Sequence, residues 1–133
     1  MLDHIGFSVK DFAHSKSFYQ RALMPLGITL VTEVTPEQSG GGAHAGFGKA
    51  GKPYFWIGTG DNATHGGMHI ALNAPTRASV REFYKHAIAA GAKDNGPPGL
   101  RPHYHDDYYG AFVIDPNGNN LEAVCRLPEK DLD

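Results

Sequence analysis

At 133 residues, the chain is long enough for one compact domain with a hydrophobic core. Its formal net charge of −2 comes without runs of like charge, which excludes the basic footprint of a protein that binds nucleic acid or anionic lipid. No apolar stretch approaches the roughly 20 residues that cross a bilayer, and the single cysteine, Cys125, excludes a disulfide within the chain. With no signal-peptide pattern before His4, these features predict a cytoplasmic protein that acts on a small molecule.

The first half of the chain predicts the order β-α-β-β-β. The segment from Leu2 to Val9 alternates as a strand does, and Asp11 is placed to cap a helix with apolar residues at helical spacing. Gly27 is expected to end that helix, because glycine adopts the left-handed conformation without a Cβ clash. Three strands and a loop complete the unit: strands over 28–34, near 43–48 and near 54–58, and a Pro/Gly/Ser loop over 35–42.

The second half predicts the same order after a link over 60–66. A strand over 67–73 precedes Thr76, which can cap a helix that Gly91 ends. The residues from Asp94 to Asp107, with two consecutive prolines, are expected to form a long polar loop. The buried face of the helix is predicted to consist of Val80, Phe83, Tyr84, Ala87 and Ile88. Strands near 108–114 and 120–125 flank the strong turn signal Asp115-Pro116-Asn117-Gly118.

The two halves are related by an internal repeat. The opening His4-Ile5-Gly6-Phe7 recurs as His69-Ile70-Ala71-Leu72, an offset of 65 (69 − 4), and Phe18-Tyr19 recurs as Phe83-Tyr84 at the same offset. Trp56 matches Glu122 at an offset of 66 (122 − 56). Neither copy alone could bury its sheet and helix. The sequence therefore predicts one α+β domain over 1–133, built of two tandem βαβββ modules, about 1–60 and about 66–127.

The repeat also singles out four equivalent positions. They are His4 and His69 on the first strands and Trp56 and Glu122 on the last strands, and a pseudo-twofold axis between the modules would bring them together. Two imidazoles and one carboxylate suit a single divalent ion, Fe, Mn, Co, Ni or Zn, with positions left open for substrate. Glu122 lies between apolar neighbours, where a carboxylate is costly unless paired or coordinated. Trp56 cannot be a ligand and is expected to form a wall of the site.

These motifs resemble the vicinal-oxygen-chelate superfamily, which includes glyoxalase I, methylmalonyl-CoA epimerase, extradiol dioxygenases, and fosfomycin and bleomycin resistance proteins. The resemblance rests on His4-Ile5-Gly6-Phe7, His69-Ile70-Ala71-Leu72 and, most specifically, on the segment from Asp115 to Glu122. It implies a U-shaped mixed sheet around a central cleft with the helices outside, and a metal chelated by adjacent substrate oxygens. It places His4, His69 and Glu122 on ligand positions and implies a homodimer, with the modules paired within one chain or exchanged between two.

Two departures from the family pattern narrow the activity. Trp56 falls where glyoxalase I and the epimerases have a Glu or Gln ligand, which disfavours glyoxalase I chemistry. Phe112 falls where the dioxygenases carry a Tyr ten residues before the Glu, which disfavours ring cleavage. The first hypothesis is therefore a metal-dependent lyase, isomerase or transferase acting on a small oxygen-rich molecule. The alternative is a metal-free binding or sequestration protein of the bleomycin-resistance type.

The polar segment from Arg101 to Tyr109 is expected to form a loop over the mouth of the site, in preference to a second metal cluster. His105 and Tyr109 are the candidate proton carriers, and Glu122 could exchange between ligand and base. Arg101 could pair with an anionic substrate group, although a plain surface arginine is an equal reading. Four aromatic side chains are expected to line the cleft, namely Trp56, Tyr54, Phe47 and Tyr109.

Overall fold

The computed structural model describes residues 1–60, 63 and 66–129, so the link between the modules and the last four residues lie partly or wholly outside it. The first module has the predicted order β-α-β-β-β, with a 3-10 turn after the long helix and a short helix in the loop. Its elements are β1 (Ile5–Ser8), α1 (Phe12–Leu23), the 3-10 turn (Met24–Leu26), β2 (Thr29–Val34), α2 (Pro36–Ser39), β3 (His44–Lys49) and β4 (Lys52–Gly58).

The second module repeats this order. Its elements are β5 (His69–Asn73), α3 (Arg77–Ala89), β6 (Lys93–Leu100), β7 (Tyr109–Ile114) and β8 (Asn120–Cys125). Within the described residues, no helix has the length and apolar character that crossing a membrane requires.

Each module forms a four-stranded mixed sheet, in the orders β1-β4-β3-β2 and β5-β8-β7-β6. The first strand pairs in parallel with the last, and the other pairs are antiparallel. Gly6 lies opposite Trp56 in the first sheet, and Ala71 lies opposite Glu122 in the second. The predicted α+β fold of two βαβββ modules is confirmed, and the strand register agrees with the offsets of 65 and 66.

One face of each sheet is covered by a helix, and the two long helices contact each other. Tyr19 of α1 packs edge-on or tilted against Phe7, Phe47 and Phe55 of the first sheet. Residues of both modules belong to one cluster of buried apolar side chains. Because strand side chains alternate, this packing directs the neighbours of those residues, including Trp56, to the opposite face of the sheet.

The local signals for the helix ends are confirmed. The Asp11 side chain accepts from His14 N, and Thr76 makes a reciprocal capping box with Ser79. Gly27 and Gly91 have φ values of 78° and 105°, in the region that favours glycine.

Two predictions about the second module need correction. The segment from Lys93 to Leu100 is a strand, whereas the sequence predicted a loop from Asp94 onwards. This strand pairs only with β7, and an edge strand tolerates proline because one row of its N–H groups faces away from the sheet. Ile88, predicted on the buried face of α3, is exposed.

The turn between β7 and β8 joins the two modules through a buried polar network. The Asp115 carboxylate accepts from the backbone N–H groups of Asn117 and Asn119, and its other oxygen accepts from the Tyr19 hydroxyl of the first module. The Asn117 side chain donates to Ser15 Oγ at 3.0 Å and accepts from the backbone N–H of Lys10 at 3.2 Å. This turn therefore holds the start of β8 against the first helix.

Candidate functional site: a buried carboxylate beside a cleft between the modules

A cleft of about 770 Å³ lies between the first strands of the two modules. Its lining includes His4 and Tyr54 from the first module and His69 from the second. Both imidazoles are more than half exposed, so they are accessible from the cleft. His4 Nδ1 lies 2.7 Å from Asp3 Oδ1, and this hydrogen bond, followed by the charge of Lys52, lowers the pKa of Asp3.

Glu122 is the centre of polar contacts on the uncovered face of the second sheet. Its side chain is only 1% exposed, and each carboxylate oxygen has a different partner. His69 Nε2 lies 2.8 Å from Oε1, and the Tyr108 hydroxyl donates to Oε2. Burial, together with the hydrogen bond to Glu122, raises the pKa of Tyr108 to about 12, so this hydroxyl keeps its proton at neutral pH. The charge of the buried carboxylate is thus compensated on both oxygens.

Gly110 lies beside the contact between Tyr108 and Glu122, where a side chain would fit tightly. A Cβ atom at Gly110 would lie 3.2 Å from the Tyr108 ring and 3.5 Å from Glu122 Oε2. Phe112, two residues further along the same face, lies opposite Glu122, and its ring centroid is 6.4 Å from that of His69. Strand alternation therefore places residues 108, 110 and 112 on the face that carries Glu122.

The donor set fits a divalent ion in part. Two ligands of one ion, each about 2.1 Å from it and at a right angle, lie about 3 Å apart. The separation of His69 Nε2 and Glu122 Oε1 agrees with that value. Within the described ranges, however, no three His, Cys, Asp or Glu side chains come together closely enough to hold a metal. The structure thus brings together two of the three predicted ligands, and His4 lines the same cleft as His69.

Trp56, the counterpart of Glu122, lies on the uncovered face of the first sheet. A Cβ atom at Gly46 would come within 3.0 Å of its indole ring, so this glycine is what allows the ring to lie against the sheet. Trp56 lines a second, smaller cavity of about 240 Å³ together with Ser8 and His44. Its predicted place as a wall of the site remains a prediction.

Two residues predicted for the site face the other way. Phe47 is fully buried and packs against Tyr19 and Phe55 on the helix side, so it does not line the cleft. The Tyr109 ring lies beneath the guanidinium groups of Arg77 and Arg81 of α3, on the face opposite Glu122. The hydroxyl that donates to Glu122 belongs to Tyr108. In the sequence, the signal for this residue is that Tyr108 precedes Phe112 by four positions and therefore lies on the same face of the strand.

The remaining candidates lie in or beside the loop over 101–108. His105 Nδ1 accepts from the backbone N–H of Asp107 at 3.1 Å, in an exposed part of this loop. Arg101 extends over the ring of Phe112, 5.4 Å from its centroid, and donates to Pro97 O.

Comparison with known proteins agrees with this architecture. The family model of the glyoxalase/bleomycin resistance protein/dioxygenase superfamily matches residues 1–123, and the chain belongs to this superfamily. A search of curated protein sequences gives no significant match.

Solved structures of the same family are similar over most of the chain. A glyoxalase/bleomycin resistance protein from Albidiferax ferrireducens is 30% identical, with a TM-score of 0.75 over 93% of this chain and 97% of that one. Glyoxalase I from Zea mays is 17% identical, with a TM-score of 0.68 over 92% of this chain and 43% of that one. A mutant of the fosfomycin resistance protein FosX from Listeria monocytogenes, complexed with Mn(II) and 1S,2S-dihydroxypropylphosphonic acid, is 20% identical. Its TM-score is 0.66 over 93% of this chain and 88% of that one.

Proposed function

We propose that this protein is a divalent-metal enzyme of lyase, isomerase or transferase type that acts on a small, oxygen-rich molecule. The observation that carries the proposal is the pair formed by His69 Nε2 and Glu122 Oε1, 2.8 Å apart at the cleft that His4 also lines. An imidazole and a carboxylate at this separation match neighbouring ligands of one ion. In this proposal His4, which is exposed and lines the same cleft, supplies the third ligand.

Each residue near the pair has a defined task in this proposal. Tyr108 holds Oε2 of Glu122, which leaves Oε1 to bind the metal and fixes the direction of the carboxylate. A divalent ion held by His4, His69 and Glu122 would supply Lewis acidity, which would stabilise negative charge that develops on neighbouring oxygens of the substrate. In this proposal Tyr54 and Trp56 provide aromatic walls, and His105 of the exposed loop acts as the proton carrier. We further propose that the protein is a cytoplasmic homodimer.

The test is the metal affinity of matched variants, measured by elemental analysis and by titration with Mn²⁺ or Zn²⁺. Wild-type protein is expected to bind one ion per site, and His69→Ala and His4→Ala are each expected to lose about tenfold or more in affinity. His14→Ala, a change at an exposed histidine on α1, is the control and keeps wild-type affinity. Stoichiometric, unchanged metal binding by both site variants would falsify the proposal.

A metal-free binding protein of the bleomycin-resistance type is the second candidate. It is favoured by one observation, that only two potential metal donors meet in the described part of the chain. Under this alternative, purified protein contains metal well below one ion per site, and divalent ions do not raise its melting temperature. An extradiol dioxygenase is less favoured, because the ring beside His69 is that of Phe112, which has no hydroxyl to donate.

A further inference from the structure

Arg101 extends the polar site along the uncovered face of the second sheet. Its backbone N–H donates to Tyr108 O at 2.7 Å, so the two residues are paired across the strands and their side chains share a face. Its guanidinium lies over the ring of Phe112, which in turn lies beside His69 and opposite Glu122. A series of neighbouring side chains therefore runs from Glu122 through His69 and Phe112 to this cation.

Two glycines of β6 make room for the guanidinium. A Cβ atom at Gly96 would lie 3.0 Å from Phe112 Cδ1 and 3.2 Å from Arg101 Nη2. A Cβ atom at Gly99 would lie 3.2 Å from Nη1. The guanidinium thus stacks on an aromatic ring, in the space that Gly96 and Gly99 leave free.

The charge of Arg101 has no acidic partner among the residues that the structure describes. A guanidinium has five N–H donors, and the hydrogen bond to Pro97 O, 2.8 Å long, uses one of them. The arginines on the opposite face differ, because Arg77 and Arg81 both form ion pairs with Glu129. Donors that are fixed in position and otherwise unused are suited to a planar or tetrahedral oxyanion.

We propose that Arg101 binds an anionic group of the substrate. The substrate would then be a molecule with two neighbouring oxygens at one end and a carboxylate or phosphorus oxyanion at the other. The two neighbouring oxygens of this substrate rest on the proposed function, whereas its anionic group rests on Arg101 alone.

The test compares 2-hydroxyglutarate with 2-hydroxypentanoate, which have equal chain length and differ in a terminal carboxylate. A third probe, 2-hydroxy-4-phosphonobutanoate, distinguishes a phosphonate from a carboxylate. Dissociation constants are measured by calorimetry, with and without Mn²⁺. Wild-type protein is expected to bind at least one of the two probes with an anionic far end about tenfold more tightly than 2-hydroxypentanoate, whose far end is an uncharged methyl group. Tenfold is the scale of one charge-assisted hydrogen bond.

In Arg101→Gln the preference is expected to fall to less than about twofold, and Arg101→Lys is expected to keep part of it. Arg21→Gln, which removes the same charge from the exposed end of α1, keeps the full preference. An equal preference in wild type and Arg101→Gln, or no preference in wild type, would overturn the inference. Failure of the metal proposal appears separately, as wild-type protein that binds no metal.

Discussion

The two modules share one backbone plan but differ at the positions that carry chemistry. On the uncovered face, Trp56 lies over Gly46 in the first module, whereas Glu122 lies opposite Phe112 in the second. The second module also supplies Tyr108 and Arg101, so the polar contacts gather on one side of the cleft. The repeat therefore fixes where a side chain lies on this face, and the residue type at that position decides which module carries the polar contacts.

A second contrast lies on the helix side, between the repeat-related residues Tyr19 and Tyr84. Tyr19 is fully buried and donates to Asp115 of the other module. Tyr84 is only partly buried, and its polar neighbour Asp94 belongs to its own module. The first helix is therefore tied across the module boundary by a buried polar contact, whereas the second has no such tie through its equivalent tyrosine.

The largest expected effect is on metal affinity, and it distinguishes Glu122 from its repeat counterpart Trp56. Glu122→Ala removes the proposed metal ligand and leaves His69 and Tyr108 without their partner, so metal affinity is expected to fall by about 100-fold or more. Trp56→Ala, the matched change in the first module, is expected to leave metal affinity within about twofold. Metal titration measures both, and equal losses in the two variants would contradict the assignment of the ligand to the second module.

The next effect separates the two helix tyrosines. Tyr19→Phe removes a donor from the buried Asp115 carboxylate and is expected to lower the free energy of unfolding by about 1–3 kcal/mol. Tyr84→Phe, which removes the same atom from a partly exposed ring, is expected to cost less than about 0.5 kcal/mol. Urea denaturation of the two variants measures the difference, and similar values would mean that the contact across the modules contributes little.

A smaller effect distinguishes the neighbouring tyrosines of β7. Tyr108→Phe removes the hydrogen bond that directs Glu122, and metal affinity is expected to fall about tenfold. Tyr109→Phe alters a ring that faces α3 and should leave metal affinity unchanged. Weaker metal binding by the Tyr109 variant than by the Tyr108 variant would contradict the proposal that the metal lies on the face of β7 that carries Tyr108.

The smallest effect is a pH dependence. Burial, followed by the charge and hydrogen bond of Asp115, raises the pKa of Tyr19 well above its ordinary value of about 10. The folded protein therefore holds this proton more tightly than the unfolded chain, and the associated stability is complete below about pH 10 and lost as pH rises further. Above that pH the free energy of unfolding should fall more steeply in wild type than in Tyr19→Phe. Parallel curves would show that Tyr19 titrates normally.

The sequence predicted the elements whose signals are local. Asp11, Thr76 and Gly91 mark helix ends through their own conformational preferences, and the repeat aligned His4 with His69. The assignments of Phe47 and Tyr109 were wrong because both depend on which face of a strand is covered, and this is set by register with a neighbouring strand. Alternation along a strand can be predicted from the sequence. Which of the two faces packs against a helix cannot, because it depends on the neighbouring strand.

The strand β6 was missed for a related reason. Its prolines and glycines are typical of loops, and only its position at the edge of a sheet makes them compatible with a strand. The Tyr108 contact likewise follows from strand alternation only once Phe112 is known to lie opposite Glu122.

The turn centred on Asp115 also affects how the two modules pair, within one chain or between two chains. The Asp115 carboxylate accepts a hydrogen bond from the Tyr19 hydroxyl. The Asn117 side chain accepts one from the Lys10 N–H and donates one to Ser15, so three residues of the first module contact this turn. These contacts favour docking of the first module on this turn, whose Asp115 lies seven residues (122 − 115) before Glu122. Variants that lack these contacts are expected to pair their modules less strongly within one chain, and exchange of modules between two chains is then the competing arrangement. The same short turn thus fixes the start of β8, the strand that carries Glu122, relative to the first module.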